Sequence, residues 1–324
     1  MNKIAKFITT AALAVSFSTT AQAKNWDMPT PYSDATFHTV NIAEFAKDVK
    51  AATDGALSIT IHSAGSLFKH SEIKNAVRSR QVPIGEFFLG SLSNEDAAFG
   101  LDTLPFLAAS YEEGQRLWVA QKPVVTALLA KQHLMPLFSV PWPAQGLYTN
   151  GVIAKAGDLS GLKFRAYNAA TEKLATLAGA APTQVEAPDI PQAFATGQVQ
   201  AMVTSPSTGA NTKAWDFVSH YTPINAWVPK NIVVVNKKLF DRLDENIQAA
   251  VLKAASAAEV RGWEMSKKEA ETKTAVMVKN GMVVAKPTDE LISGLKAIGA
   301  QMLKELLASS GAETKAIVTS YQAK

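Results

Sequence analysis

The sequence predicts an α/β protein of two domains joined by a long helix. Three observations carry this. Strand-like and helix-like segments alternate from residue 37 to 140 and again from 147 to 204. The segment "PWPAQG" at 141–146 separates the two series, and its prolines and glycine stiffen and turn the chain as a domain crossover requires. The 40 residues from Asp241 to Asn280 hold no proline and one glycine, Gly262. Alternation of this kind predicts mostly parallel sheets covered by helices, and 324 residues favour two cores over one.

The first residues stand apart from the fold. Lys3 and Lys6 precede the apolar run "FITTAALAVSF", which is too short to span a bilayer comfortably, and "AQA" at 21–23 is a small-x-small cleavage signal. Together they predict a secretory signal peptide over 1–23, cut after Ala23. The whole chain has 32 Lys+Arg against 28 Asp+Glu, a formal charge of +4; loss of Lys3 and Lys6 lowers it to +2. Basic residues are scattered and often paired with acids, as in "EMSKKEAETK" at 264–273, so the charge gives no reason to expect nucleic acid or an anionic membrane as partner. No cysteine is present, which rules out disulfides, thiolate catalysis and cysteine metal sites, so stability must come from a packed core.

Each element follows from its local pattern. From Phe37 to Ala52, Phe37, Val40, Phe45 and Val49 recur at helical spacing and Gly55 stops the run. "ALSITIHSAG" alternates Leu57, Ile59 and Ile61 with polar residues, a strand. "SEIKNAVRSRQ" predicts a helix with Ser71 as N-cap, "VPIGEFFLG" a strand, Glu112 to Ala130 a helix, and "MPLFSV" a strand. Beyond the crossover, "LYTN" and "LKFRAY" are strands, Thr171 to Ala178 a helix ended by Gly179, "APTQV" a strand, "PDIPQAFATG" a helix and turn, and "VQAMVTS" a strand. The β-branched run in "VPKNIVVVNKKLF" at 228–240 returns the chain to the first domain. Asp241 to Asn280 forms either one helix of about 60 Å, at roughly 1.5 Å per residue, or two helices broken at Gly262. The resulting boundaries are 24–142 plus 231–270 for the first domain and 143–230 plus 271–324 for the second.

Catalytic motifs are missing. The five histidines (His38, His62, His70, His133, His220) lack a second ligand at metal-binding helical spacing and read as surface or packed residues. There is no nucleophile elbow, Walker loop or dinucleotide fingerprint, and nothing calls for a cofactor or metal.

Arg165 is the exception to a bland reading. It ends a buried-looking strand just before a helix, and open α/β folds bind ligands outside those strand ends. A guanidinium holds a carboxylate through two parallel hydrogen bonds. The residues alone leave two readings open: Arg165 captures a ligand carboxylate, or it braces the fold by pairing with an internal acid such as Glu186 or Asp189.

The chain resembles the solute-binding proteins of tripartite ATP-independent periplasmic (TRAP) transporters, the DctP type, from about Phe37 to Gly281. The resemblance rests on "SAGSLFKHSEIKNAVRSRQVPIG", "LDTLPFL", "AFATGQVQAMVTSP" and above all "YTNGVIAKAGDLSGLKFRAYNAATEKLATLAGAAPTQV". It implies a two-domain periplasmic binding protein of the Venus-flytrap type with a hinge and a long interdomain helix. It also implies that Arg165 salt-bridges an organic acid, that closure buries the ligand, and that a monomeric receptor, not an enzyme, hands it to the TRAP membrane permease subunits. Asn168, Gln145, Thr204 and Ser205 would add polar contacts, and Trp142, Phe88 and Trp227 flat apolar ones. Two departures stand out. Where some sugar-acid binders of the family carry a second arginine, this chain has Gln145, and where many relatives read "VDGQENP", it reads "VQAMVTSPSTG". The pocket should therefore be less polar and suit a monocarboxylate with an aromatic or branched apolar body. The alternatives are a periplasmic enzyme acting on a carboxylate and the binding component of another importer class.

Overall fold

The computed structural model describes residues 23–323; the predicted signal segment at 1–22 lies outside the described residues. The chain enters as β1 (Lys24–Pro29), then α1 (Phe37–Ala52), β2 (Leu57–His62), α2 (His70–Arg78), β3 (Ile84–Phe88), α3 (Tyr111–Ala130) and β4 (Leu134–Pro141). Across the predicted turn come β5 (Gly146–Thr149), β6 (Lys163–Ala166), α4 (Ala169–Leu177), β7 (Ala181–Gln184), α5 (Ile190–Ala195), β8 (Ala201–Thr204), α6 (Pro206–Asn211) and β9 (His220–Thr222). The return runs through β10 (Lys230–Asn236), α7 (Lys237–Phe240), α8 (Glu245–Lys279), β11 (Val283–Val284), α9 (Asp289–Ser309) and α10 (Ala312–Gln322).

The sheets are mixed rather than mostly parallel. In the first lobe β10 lies between β3 and β4, antiparallel to both. The reason is the route: β10 enters from the other lobe, so it runs opposite to strands that were laid down before the crossing. In the second lobe the order is β11-β9-β5-β8-β6-β7, with β6 parallel to β7 and β8, and β5 antiparallel to β8 and β9. β1 and β2 pair in parallel as a separate ribbon, and the central strands of the two larger sheets are buried on both faces. Along β10, Ile232 and Val234 join one apolar cluster while Val233 and Val235 join another. In the second lobe Leu147 and Val203 face one cluster, and Tyr148 and Met202 face its counterpart. This is the period-2 alternation of a strand, and it explains why β10 reads as one continuous apolar run.

Two boundaries shift from the sequence expectation. Helix α1 matches its predicted limits, but Val40 is exposed and Ile42 takes the core position beside Phe45 and Val49. Helix α2 begins two residues early, with Lys69 rather than Ser71 as N-cap, because the Glu72 carboxylate accepts the Lys69 N–H at 2.9 Å and so satisfies a first-turn donor. Helix α4 likewise begins at Ala169, capped by Asn168.

Helix α8 is unbroken over 35 residues, about 52 Å at 1.5 Å per residue. Its first half docks on the first lobe: Asn41 Nδ2 donates to the Ala258 carbonyl at 2.9 Å, Arg261 Nε donates to Asn41 Oδ1 at 2.8 Å, and Trp263 Nε1 donates to the Ser139 carbonyl at 3.2 Å. Its second half reaches α6, where Ser207 Oγ donates to Glu269 at 2.6 Å and Lys273 donates to Asn211 at 2.9 Å. Gly262 is a crossing point rather than a break. A Cβ there would strike Val140 Cγ2 and come within 2.9 Å of Val140 Cγ1 and 2.8 Å of Asn41 Nδ2.

The segment 97–108 ties the lobes to the C-terminal helices. Ala98, Leu101, Leu104 and Ala108 share a core with Leu291, Leu295 and Met302 of α9 and Ile317 and Val318 of α10, and Tyr321 Oη donates to the Leu107 carbonyl at 2.7 Å. The same segment carries Asp102, whose carboxylate meets Lys230 Nζ at 3.1 Å with both side chains fully buried. Burial pushes the Asp102 carboxyl up, and Lys230 pulls it back.

Two measurements test this packing. Gly262→Ala gains about 1 kcal/mol of helix propensity but must displace the β-branched Val140, an overpacking cost of about 1–3 kcal/mol. The urea midpoint should therefore fall; an unchanged or higher midpoint would refute the close crossing. Asp102→Ala strands a buried ammonium and should cost about 3–5 kcal/mol, much of it recovered in the Asp102→Ala/Lys230→Met double variant. Additive losses in the double variant would argue against direct coupling.

Candidate functional site

A narrow cleft with a cavity volume of about 50 Å³ lies where the two lobes meet. Two chain crossings form its back. They run side by side, with Trp142 N–H donating to the Pro229 carbonyl at 2.7 Å, Gln145 N–H to Trp227 O at 3.0 Å and Ala226 N–H to Gln145 O at 3.0 Å. The crossover predicted from its prolines is thus the hydrogen-bonded partner of the return segment.

Arg165 reaches the cleft from β6. Phe164 before it enters the apolar core, and alternation sends Arg165 to the opposite face. The side chain is buried and still lines the cleft. Its Nε–H donates to the Val185 carbonyl at 2.9 Å, which fixes the plane of the guanidinium, and its Cζ lies 4.9 Å from the centre of the Tyr167 ring, a cation–π contact. Among the described residues, no carboxylate lies within ion-pair distance of it. Glu186 bonds to His70 instead, with its Oε2 3.2 Å from His70 Nδ1. Burial lowers the Arg165 pKa to about 10, opposed by Tyr167, Glu186 and Tyr32, so it remains a cation at neutral pH.

A relay of polar contacts holds the neighbouring walls. Trp227 Nε1–H donates to Tyr167 Oη at 3.1 Å, Tyr167 O–H to Gln145 Oε1 at 3.2 Å, and Gln145 Nε2–H to the Pro143 carbonyl at 2.7 Å. On the first lobe, Asn231 Oδ1 accepts from Trp142 Nε1 at 2.8 Å and from Tyr32 Oη at 3.3 Å, while its Nδ2 donates to the buried Glu86 at 3.1 Å. These bonds fix the edges of Trp142 and Tyr32, whose rings meet edge to face at 5.0 Å. Phe88 meets Tyr167 across the cleft in the same way, at 5.6 Å. Ser205 caps α6, accepting from Thr208 N–H at 3.0 Å.

Arg165, Gln145, Trp142, Phe88, Thr204 and Ser205 all line this one cleft. Asn168 and Trp227 are not among its lining residues. Asn168 Oδ1 accepts the Thr171 N–H at 2.9 Å as the cap of α4, and Trp227 is wholly buried behind Tyr167. The sequence reading missed Tyr32, His70, Tyr167 and Thr208 as lining residues and considered Glu186 only as a brace for Arg165. Tyr167 was within reach of it, two positions after Arg165 at a strand end. His70 was not a surface or core histidine: the early start of α2 brings its ring to the cleft, where Nε2 accepts the Phe88 N–H at 3.1 Å.

The comparisons with known proteins agree on the class. Residues 30–310 match the DctP model, described as bacterial extracellular solute-binding protein, family 7. The Bordetella pertussis extracytoplasmic solute receptor DctP7, which binds pyroglutamic acid, is 41% identical with a TM-score of 0.91, over 93% of this chain and 100% of that one. A marine metagenome TRAP solute-binding protein from an unidentified microbe, specific for pyroglutamate, is 42% identical with a TM-score of 0.91, over 94% and 100%. A TRAP periplasmic protein of Roseobacter denitrificans solved with β-D-glucuronate shares the fold at 21% identity and a TM-score of 0.86, over 93% and 100%. A solute-binding protein of Albidiferax ferrireducens is 24% identical over 258 residues, 78% of this chain and 75% of that protein. No helix among the described residues is long and apolar enough to cross a membrane. With two lobes, a spanning helix and a cleft at the hinge, the chain belongs to the DctP family of bacterial extracellular solute-binding proteins, the solute receptors of TRAP transporters.

Proposed function

We propose that the chain captures a small cyclic monocarboxylate of the pyroglutamate type in the interlobe cleft and delivers it to a TRAP permease without chemical turnover. The observation that carries this reading is the Arg165 guanidinium: buried, oriented through Nε and without an acid of its own among the described residues. Receptors 41–42% identical to this chain that bind pyroglutamic acid support the ligand class. The carboxylate docks on the terminal nitrogens of Arg165 as a forked, charge-assisted pair. Trp142, Phe88 and Tyr167 bound the ring, and the hydroxyls of Thr204 and Thr208 supply donors for a ring carbonyl. The expected aromatic or branched apolar body gives way in this reading to a compact ring with polar edges, because His70 and Glu186 line the cleft along with the aromatic residues.

The mechanism is a population shift. The paired crossings at 141–146 and 226–230 are the short segments about which the lobes turn, and a ligand that contacts both lobes favours the closed form. Burying Arg165 before the ligand arrives means that much of the desolvation cost is met in folding, so a ligand carboxylate gains a cation that water does not shield.

Titration calorimetry with pyroglutamate tests the reading. The wild type should bind at micromolar strength or tighter, about −8 kcal/mol or better. Arg165→Ala should weaken binding at least about 100-fold, about 2.7 kcal/mol, with the unliganded melting temperature unchanged or raised, because the variant removes a buried charge. Unaltered affinity in Arg165→Ala would refute the anchor. A saturating ligand at about 100 times Kd should stabilise the wild type by about 2.7 kcal/mol in a thermal-shift assay, and product analysis of the incubated ligand should recover it unchanged.

A further inference from the structure

The cleft wall carries an anion as well as a cation. Glu186 leaves the end of β7 on the second lobe and meets His70 of the first. One ring nitrogen of His70, Nε2, accepts the Phe88 N–H at 3.1 Å. A ring that accepts at Nε2 is neutral and carries its proton on Nδ1. It therefore donates to Glu186 Oε2, at 3.2 Å. That engages one carboxylate oxygen. No well-aligned hydrogen bond reaches the other, Oε1, from the described residues, although the Gln184 side chain lies close enough to stabilise the same carboxylate. Burial raises the Glu186 carboxyl, but His70, Arg165 and the Gln184 side chain together outweigh it and hold it below the usual carboxylate range, so the group is ionised. Glu186 lines the inner cleft with Arg165 and also the groove outside it, so it stands at the mouth of the site.

An anion in that position is a handicap for any ligand that brings only a carboxylate. The two negative groups repel, and closure leaves Oε1 in a drier site without a donor. A ligand with an N–H beside its carboxylate removes both penalties: the carboxylate goes to Arg165 and the N–H to Glu186. We propose that Glu186 is a specificity-determining residue whose free Oε1 accepts a hydrogen bond from a ligand N–H, with His70 as the positioning residue that aims it, so that the site selects N–H-bearing cyclic carboxylates over isosteric ones that lack the donor. This rests on the reading of the cleft as a carboxylate receptor and adds the second polar determinant that Gln145, bonded to Pro143 and Tyr167, does not supply.

The test compares pyroglutamate with 5-oxotetrahydrofuran-2-carboxylate of the same configuration, in which a ring oxygen replaces the ring N–H. In the purified wild type, titration calorimetry should give at least about 100-fold tighter binding of pyroglutamate, since a site built around a hydrogen bond rejects the analogue lacking it. Glu186→Ala should weaken pyroglutamate binding and bring the two within about threefold. Glu186→Gln, which keeps the side-chain shape, should raise the affinity for the lactone by removing the repulsion. His70→Ala should give an intermediate ratio, and His70→Gln, which keeps a side-chain donor toward Glu186, should restore much of the wild-type ratio, a pattern that general loosening of the cleft would not produce. Equal binding of both compounds by the wild type, or an unchanged ratio in Glu186→Ala, overturns the inference while the carboxylate reading stands. If the wild type binds neither compound, the pyroglutamate-type reading fails and this inference with it.

Discussion

A guanidinium buried at an interlobe wall, with no carboxylate at ion-pair distance among the described residues, is the constraint on which the rest of the structure depends. An unpaired charge in a dry site is costly, and a protein keeps one only where the surroundings restrain it and something else repays the cost. Here the restraint is visible atom by atom. The Val185 carbonyl holds Nε, the Tyr167 ring lies against the cation, and a chain of hydrogen bonds from Trp227 through Tyr167 and Gln145 to Pro143 holds that ring in turn. The relay ends in the crossover itself, so the orientation of the arginine and the geometry of the hinge are set by the same bonds.

The two lobes contribute different chemistry to the cleft. The second supplies Arg165, Glu186 and the hydroxyls around the start of α6; the first supplies Trp142, Phe88, Tyr32 and His70. Beneath the first-lobe wall, Asn231 receives two donors at Oδ1 and gives one to Glu86, and Thr30 donates to the same carboxylate at 2.6 Å. A buried amide satisfied on both ends has one orientation only, and that rigidity passes to the aromatic edges above it. Helix α8 then spans both lobes, bonding to α1 and β4 in its first half and to α6 in its second.

Much of this was legible before any coordinates. Helix limits came from apolar spacing and stop signals, so α1 and the end of α4 at Gly179, with its φ of +78°, fall where the pattern puts them. Arg165 was legible because a permanent charge in a buried strand has few explanations. The sheet order was not, because the late strand β10 reads as any buried strand and nothing local says that it runs against its neighbours. Gly262 misleads for a similar reason: a helix-breaking residue in one dimension is a packing residue in three. The histidine at the mouth of the site was the hardest to find. Its role depends on a two-residue shift in the start of α2 and on a glutamate 116 positions away.

The position of β10 has a consequence for how the molecule is made. Its seven residues form the middle of the first lobe's sheet, so β3 and β4 cannot close that sheet by themselves. Until residue 236 has been synthesised, the early part of the chain lacks its central strand and its core stays open. Pairing over so long a stretch of chain is slow to form, so the first lobe closes late, after most of the second lobe's strands have been made.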